Sequence, residues 1–473
     1  MPSKIKIVSG KANHSLTFKV KAYKQMVNLE GSLPSNGIFP IFCGFLPCDF
    51  FSDVFRKLMA VIKPFTALRP SKESAQLVAS VPYDVVNGEE ACAAAERNNL
   101  SFLRVTRSEI ELNKNINPYS PEVYKKAKEN LELLKKEAPL KVDDKPRFYL
   151  YRLIMNGKAQ TGIAATFSVD DYDNAVILKH EKTRKEKEDD RTNHIATTKA
   201  QTGTVFLTYR GVKKINDIVG ETTNNLDPVY DFTASDKVKH SVWILPDKHN
   251  QTITDEFKKI SKLYIADGHH RAASASRARK VMANNNVNHK GDEEYNFFIA
   301  VIFPAEEVNI LPYNRIVCDL NGLSEEEFLN QVSEKFEIQK TSLKEPAQRR
   351  SFGMYLNKQW YSLKARDSII ASLSLSDSVG SGLDVSILQD FLLNHVLGID
   401  DQRTSKKIDF IGGIRGTSEL EKLVDSGKAA AAFSLYPVSV EDLIKISDAG
   451  EIMPPKSTWF EPKLRDGLLV HLI

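Results

Sequence analysis

Leu263-Tyr-Ile-Ala-Asp-Gly-His-His-Arg271 is the stretch from which the rest of the chain can be read. Its apolar start predicts a short strand over 263–266, Gly268 supplies a tight turn, and the alanine- and arginine-rich run that follows predicts a helix. A strand that feeds a helix through glycine sets two histidines and an arginine beside unpaired helix N–H groups and their partial positive charge, a good receptor for phosphate. In that reading Arg271 grips phosphate oxygens in bidentate fashion, Gly268 lets the backbone approach, and His269 or His270 donates a further hydrogen bond. Asp267 would hold a metal or accept a proton. The plainer reading makes Asp267 an N-cap and the histidines solvated polar groups. Four functional groups within five positions bring the two readings level.

Outward from this stretch the patterning alternates between helix and strand. Upstream, residues 60–70 read as a short strand entering a loop, Asn87 caps an alanine-rich helix over 89–97, and the apolar run 101–106 reads as a strand. Pro121 starts a second helix with Val123, Ala127, Leu131 and Leu134 on one face. Two β-patterned runs, 148–155 and 161–169, flank Asn156-Gly157, the strongest short hairpin signal. Residues 179–191 carry eleven charges in thirteen positions and read as the start of a helix running to about Ala200. Downstream, a strand over 295–303 precedes α-then-β units with helices at 325–336, 386–397 and 419–424. There is no steady βαβ rhythm, so the expected class is α+β, with mixed sheets and flanking helices. The expected organisation is an N-terminal extension over 1–58, a catalytic or nucleotide-binding region over 59–318, and a further α+β region over 319–473.

Composition narrows the function classes. The 473 residues carry 65 Lys and Arg against 61 Asp and Glu, a net charge of +4 that is too small for a protein that coats nucleic acid. Cys43, Cys48, Cys92 and Cys318 lack paired C-x-x-C spacing and are too few for a disulfide framework, which fits a reducing, cytoplasmic compartment. The longest apolar run, 38–48, is broken by two prolines and is too short to span a membrane. Residues 1–48 hold six lysines and one acid, Glu30, a bias also found in organellar transit peptides, yet no arginine and no secretory core. The extension reads either as disordered or as lying upstream of the true start at Met59.

Further constellations carry possible chemistry. On a continuous helix, His180, Arg184 and Arg191 would share roughly one face and present imidazole and guanidinium to a polyphosphate. H-E-x-x-H would require His at 184, so this is no zincin motif, and a charge run is by default a solvated face. Asp84, in Val81-Pro-Tyr-Asp-Val-Val86, reads as a general base or metal ligand, or equally as a turn cap or the partner of an arginine. Phe410-Ile-Gly-Gly-Ile-Arg-Gly416 leads into a helix that Ser418 and Glu421 would cap, a weak phosphate-turn pattern without the Walker lysine. In Met453-Pro-Pro-Lys-Ser-Thr-Trp-Phe-Glu-Pro-Lys463, Lys456, two hydroxyls and aromatics would suit a nucleotide's phosphate and base, with Trp459 and Phe460 read first as core.

Taken together, residues 81–86, His180-Glu-Lys-Thr183 with Asp190-Arg191, Asp267-Gly-His-His-Arg271, Tyr313-Asn-Arg315 and Pro454-Pro-Lys-Ser-Thr458 closely resemble the domain-of-unknown-function family numbered 1015, from about Met59 to the C-terminus. The Asp-Gly-His-His-Arg motif is in turn similar to that of archaeal free serine kinases of the ParB/sulfiredoxin-like fold group. The resemblance implies a ParB/sulfiredoxin-like core and a small-molecule kinase that moves a phosphoryl group from ATP or ADP, with Mg²⁺, to free serine or a similar alcohol. It implies that Gly268, His269, His270 and Arg271 cradle phosphate while Asp267 assists, with His180, Arg184, Arg191 and Lys456 adding cationic walls. Those kinases use a glutamate base nearer the N-terminus, and Asp84 is the nearest acid here. Two other readings stand beside this one: a metal-dependent hydrolase with His180, Glu181, His269 and His270 as ligands, and a nucleotide-binding regulator of ParB type. The expected partners are a nucleotide and a small acceptor, with no nucleic acid and no membrane.

Overall fold

A computed structural model describes residues 59–473. The extension over 1–58, with its lysines, Cys43, Cys48 and the apolar run 38–48, lies outside the described residues. The asparagine-glycine hairpin forms as the sequence predicts: Tyr149–Met155 pairs antiparallel with Lys158–Ser168, and Asn156 and Gly157 both take positive φ, 51° and 77°. Both central residues of a type I′ turn require that region.

This hairpin sits in a nine-stranded mixed sheet. From one edge its strands are Ile177–Leu178, Leu263–Asp267, Val205–Tyr209, Phe297–Pro304, the hairpin pair, Lys239–Ile244 and Tyr230–Thr233, with Ile62–Lys63 against the hairpin's second strand. Two pairings are parallel, Leu263–Asp267 with Ile177–Leu178 and Phe297–Pro304 with Val205–Tyr209. A second, six-stranded antiparallel sheet takes its strands from Tyr313–Val317 through Ala431–Leu435. One apolar core cluster draws on both sheets, including Tyr264, Val301, Phe352 and Phe433. The chain end returns to the first region. Val470–Leu472 pairs with Ala67–Arg69 and Ala200–Gln201, and Asp466 bridges to Ser80. The class is α+β. Among the described residues no helix is long and apolar enough to cross a membrane.

Several local expectations are corrected. Residues 101–106 form no strand; Leu103–Thr106 is a helical turn whose neighbours Phe102 and Val105 pack with Leu131 and Leu134 of the helix Pro121–Glu137. A short buried apolar run fits either geometry, and here burial against a helix chose. The charged helix begins only at Lys185 and ends at Thr198, so His180 precedes it, Arg184 is its extended N-cap, and no common helical face joins them to Arg191. Residues 179–184 stay outside the helix, where His180 is pinned by tertiary contacts: its N–H points to His269 Nε2 at 3.5 Å and its carbonyl accepts Met453 N–H at 2.9 Å. The glycine turn at 412–413 answers to packing, since a Cβ on Gly412 would lie 2.7 Å from the Trp459 ring and one on Gly413 2.6 Å from Pro312 O. The helix after it starts at Gly416, and Glu421 accepts from Trp360 Nε1 instead of capping. The helix expected over 386–397 becomes a short α-helix, Asp384–Leu388, continued by π-helical turns over Gln389–Asn394.

Candidate functional site

The strand Leu263–Asp267 changes register against Val205–Tyr209 between Ile265 and Asp267, and this irregularity sets the aim of its last carboxylate. Gly268 follows in the left-handed region at φ 88°, and the helix His269–Asn284 begins at once. A Cβ at Gly268 would touch Val205 Cα at 3.4 Å, so glycine is required here both by φ and by the closeness of the next strand. Asp267 turns back to accept Gly268 N–H at 2.8 Å and Lys463 Nζ at 2.9 Å. Burial alone would raise its carboxyl, but the charges of Lys463 and Arg271 and these two hydrogen bonds hold it far below the usual carboxylate range.

Arg271 is not free to grip a ligand. Its Nη1 donates to Thr204 O at 2.7 Å, and its Nη2 donates to both oxygens of Asp84, at 2.8 and 3.1 Å. The side chain is buried behind the cavity wall, where it ties the motif helix to the loop 81–86. In that loop Tyr83 lies between two guanidinium groups, Arg191 at 4.2 Å and Arg271 at 5.7 Å from its ring centre. Arg107 closes the loop by donating to Tyr83 O at 3.0 Å and Val86 O at 2.7 Å, a role without any motif to announce it. Behind Arg271 is Asp466, almost fully buried, with its carboxyl pushed up to about 7 by burial.

The histidines meet as well. The rings of His180 and His269 stand edge to face, 4.4 Å between centres. Burial pushes His180 down to about 3, with His269 adding to the shift, and burial likewise takes His269 to about 3. Both are neutral at physiological pH. His270, also lowered by burial, accepts Arg184 N–H on Nε2 at 3.0 Å and so fixes the entry to the charged helix. The metal-site expectation finds no support in the donor geometry: among the described residues no group of three or more His, Cys, Asp or Glu is arranged to hold an ion.

These groups line a cavity of about 430 Å³. Its walls come from 83–86, 107–109, 118–119, 180–191, 267–270, Tyr313 and 453–463, so segments nearly 400 residues apart in sequence share one space. Asp84, Asp267, Gly268, His269, His270, His180, Arg184, Arg191 and Lys456 all face it; Arg271 alone of the sequence candidates does not. Sequence reading passed over Arg107, Tyr119 and Lys187, gave Lys463 no role of its own, and read Trp459 first as core, whereas Phe460 is buried and Trp459 lines the cavity. Most of the acids are neutralised: Asp84 by Arg271, Glu109 by Arg107, Asp190 by Arg191 and Asp267 by Lys463. Among the described residues Arg184, Lys187 and Lys456 have no carboxylate partner. Lys187 instead bonds Tyr119 Oη at 2.7 Å, and Lys456 lies 5.4 Å from the centre of the Tyr313 ring. Burial opposes charge on Lys456, but Tyr313, Glu181 and Asp84 more than offset it and raise its pKa.

Fold and site together define an α+β protein with a cationic, aromatic-edged cavity at the end of a mixed sheet. The chain belongs to the family described as protein of unknown function (DUF1015), whose model matches residues 62–386. The Pro454-Pro-Lys-Ser-Thr458 segment lies beyond that match. No curated protein matches the sequence. Solved structures similar to it include a conserved hypothetical protein from Pyrococcus furiosus, at 13% identity and TM-score 0.32 over 66% of this chain and 95% of that one. A free serine kinase in complex with AMP is similar at 13% identity and TM-score 0.30, over 65% of this chain and 92% of that one. SbnI with a C-terminal truncation, from Staphylococcus aureus, gives 11% and 0.34, over 65% and 87%. At these scores the likenesses say nothing of activity.

Proposed function

We propose that this protein is a phosphotransferase that passes a phosphoryl group from ATP or ADP to the hydroxyl of a small molecule such as free serine. The observation that carries the reading is the charge balance of the cavity: among the described residues Arg184, Lys187 and Lys456 face it without a carboxylate partner, against one acid without a Lys or Arg partner, Glu181. Phosphoryl transfer asks chiefly for positioning and for positive charge around the transferring oxygens, and that surplus supplies it. The first amides of the motif helix, at His269 and His270, add donors that have no carbonyl within the helix. Tyr313, Trp459 and Tyr119 offer flat faces for a base.

In this reading Arg271 and Asp84 form the frame of the site. Asp84 keeps 38% of its side chain exposed at the wall and, with both oxygens on Arg271 Nη2, still has a second lone pair on each, which fits Mg²⁺, an ion satisfied by one or two carboxylates with phosphate oxygens and water. When bound, the ion would neutralise phosphate charge. Asp267, already paired with Lys463, is a positioning group. Neutral His180 and His269 act as packed walls, and His270 holds Arg184 in place. Lining residues come from both 59–318 and 319–473, the second through the loop 453–463.

The test is phosphoryl transfer by purified protein with Mg²⁺, ATP or ADP and a panel of small alcohols that includes serine, alongside Lys456→Met. We expect a phosphorylated acceptor, and a nucleotide dissociation constant at least tenfold weaker in K456M, equivalent to about 1.4 kcal/mol. Absence of transfer together with unchanged nucleotide affinity in K456M would defeat the reading.

A further inference from the structure

Each carboxylate of the cavity can be followed to its partner, and one differs from the rest. Both oxygens of Asp84 face Arg271 Nη2, Glu109 meets Arg107 Nε at 2.5 Å, Asp190 holds Arg191 at 2.9 Å and Tyr124 at 3.2 Å, and Asp267 holds Lys463 at 2.9 Å. Glu181 has no Lys or Arg partner among the described residues. Its nearest basic atom is Nδ1 of His269 at 3.8 Å, beyond hydrogen-bond reach. His269 is itself neutral and buried, so it offers Glu181 no ion pair. A carboxylate held by a guanidinium or ammonium has its oxygens committed to that pair, whereas an unpaired one keeps an oxygen free to accept a hydrogen bond from a bound hydroxyl. Glu181 also sits where a base is needed: its backbone continues from His180, pinned against the motif helix, and it faces the same space as Lys456, on whose charge it acts.

We propose that Glu181, rather than Asp84, is the catalytic residue that accepts the acceptor's hydroxyl proton. This rests on the phosphotransfer reading above. In the step, the hydroxyl oxygen forms a bond to the terminal phosphorus and the O–H proton passes to the Glu181 carboxylate. The bond from phosphorus to the bridging oxygen breaks, and its electron pair leaves with the shortened nucleoside phosphate. Glu181 then returns its proton to solvent. Arg184, Lys187 and Lys456 are placed to balance charge on the transferring group, and Asp84 keeps Arg271 and the loop 81–86 in register.

The experiment compares full-length wild type, Glu181→Gln and Glu181→Asp for kcat, acceptor and nucleotide KM, nucleotide dissociation constant by calorimetry, and thermal midpoint. The expected result for E181Q is a kcat loss of at least a hundredfold with a thermal midpoint and nucleotide affinity near wild type, the range general-base removal produces. The acid limb of the kcat–pH profile should disappear in E181Q, and E181D should recover part of the rate. An active wild type with E181Q within tenfold of its kcat overturns this assignment while leaving the phosphotransfer reading standing. So does an E181Q whose loss lies in nucleotide affinity, which would make Glu181 a binding group. A wild type that transfers phosphoryl to no acceptor overturns both.

Discussion

Replacing Lys463 by Met removes the ammonium that pairs with Asp267 and lies 4.8 Å from the Trp459 ring centre, while keeping most of the side-chain stem. Removing one partner of a buried pair costs about 3–5 kcal/mol because the other charge is left without compensation. Asp267 keeps 30% of its side-chain exposure, so water recovers part of that and the expected loss is roughly 2–3 kcal/mol at pH 7. There is also a ceiling. The abandoned carboxylate can take up a proton, which from its ordinary value of 3.8 costs about 4 kcal/mol at pH 7. The expected loss lies below that ceiling, so the carboxylate stays charged and strained at neutral pH and protonates as pH falls. In wild type the folded-state value is depressed, so Asp267 contributes stability above its unfolded pKa that fades only in strong acid. In the variant the Arg271 charge and the Gly268 N–H still hold the carboxylate, so its folded-state value moves up from the wild-type position and the gap between the two proteins, full at neutral pH, closes only as pH falls through the acid range. Urea unfolding of both proteins at pH 8, 7, 6, 5 and 4, followed by tryptophan fluorescence, measures the difference. A gap below about 1 kcal/mol at pH 7 refutes the assignment of Lys463 as the counter-ion that keeps Asp267 charged.

Two other outcomes follow from the site. His180 and His269, both held near 3, stay neutral in the folded protein while the unfolded chain protonates them below about 6.5, so each should remove about 2 kcal/mol of stability by pH 5. Imidazole NMR signals that titrate near 6.5 in the native protein would contradict this. Gly268→Ala puts a Cβ into left-handed backbone at φ 88° and against Val205, and should cost about 1–2 kcal/mol in a denaturation curve, with weaker nucleotide binding from a displaced first helical turn; a neutral substitution would show that the turn relaxes freely.

How much of this was legible beforehand follows the range of the forces involved. The hairpin at Asn156-Gly157, the capped helix after Asn87 and the strand–glycine–helix turn at 263–271 depend on neighbours a few residues apart, and each formed at its expected place. The residues that face the cavity were also mostly readable, because histidine, arginine and acid packed beside glycine is costly unless something uses it. What failed was range. Residues 101–106 suited strand and helix equally, and the surface they packed on decided. The charge run at 179–184 has helical composition, yet burying His180 beside His269 was worth more than one further turn of helix.

Charge pairing is the clearest division between what the sequence by itself determined and what tertiary structure decided. The chemical inventory of the site, its acids, cations, imidazoles and aromatic faces, is written in the order of residues. Which acid meets which cation is not, because a Coulomb or hydrogen-bond partner is chosen by distance in space, and Asp84 and Arg271 lie 187 positions apart, Asp267 and Lys463 196. Folding spends Arg271 on Asp84 and Lys463 on Asp267, and by doing so leaves Glu181, an acid the sequence set among possible metal ligands, without a Lys or Arg partner among the described residues in the cavity it shares with Arg184, Lys187 and Lys456.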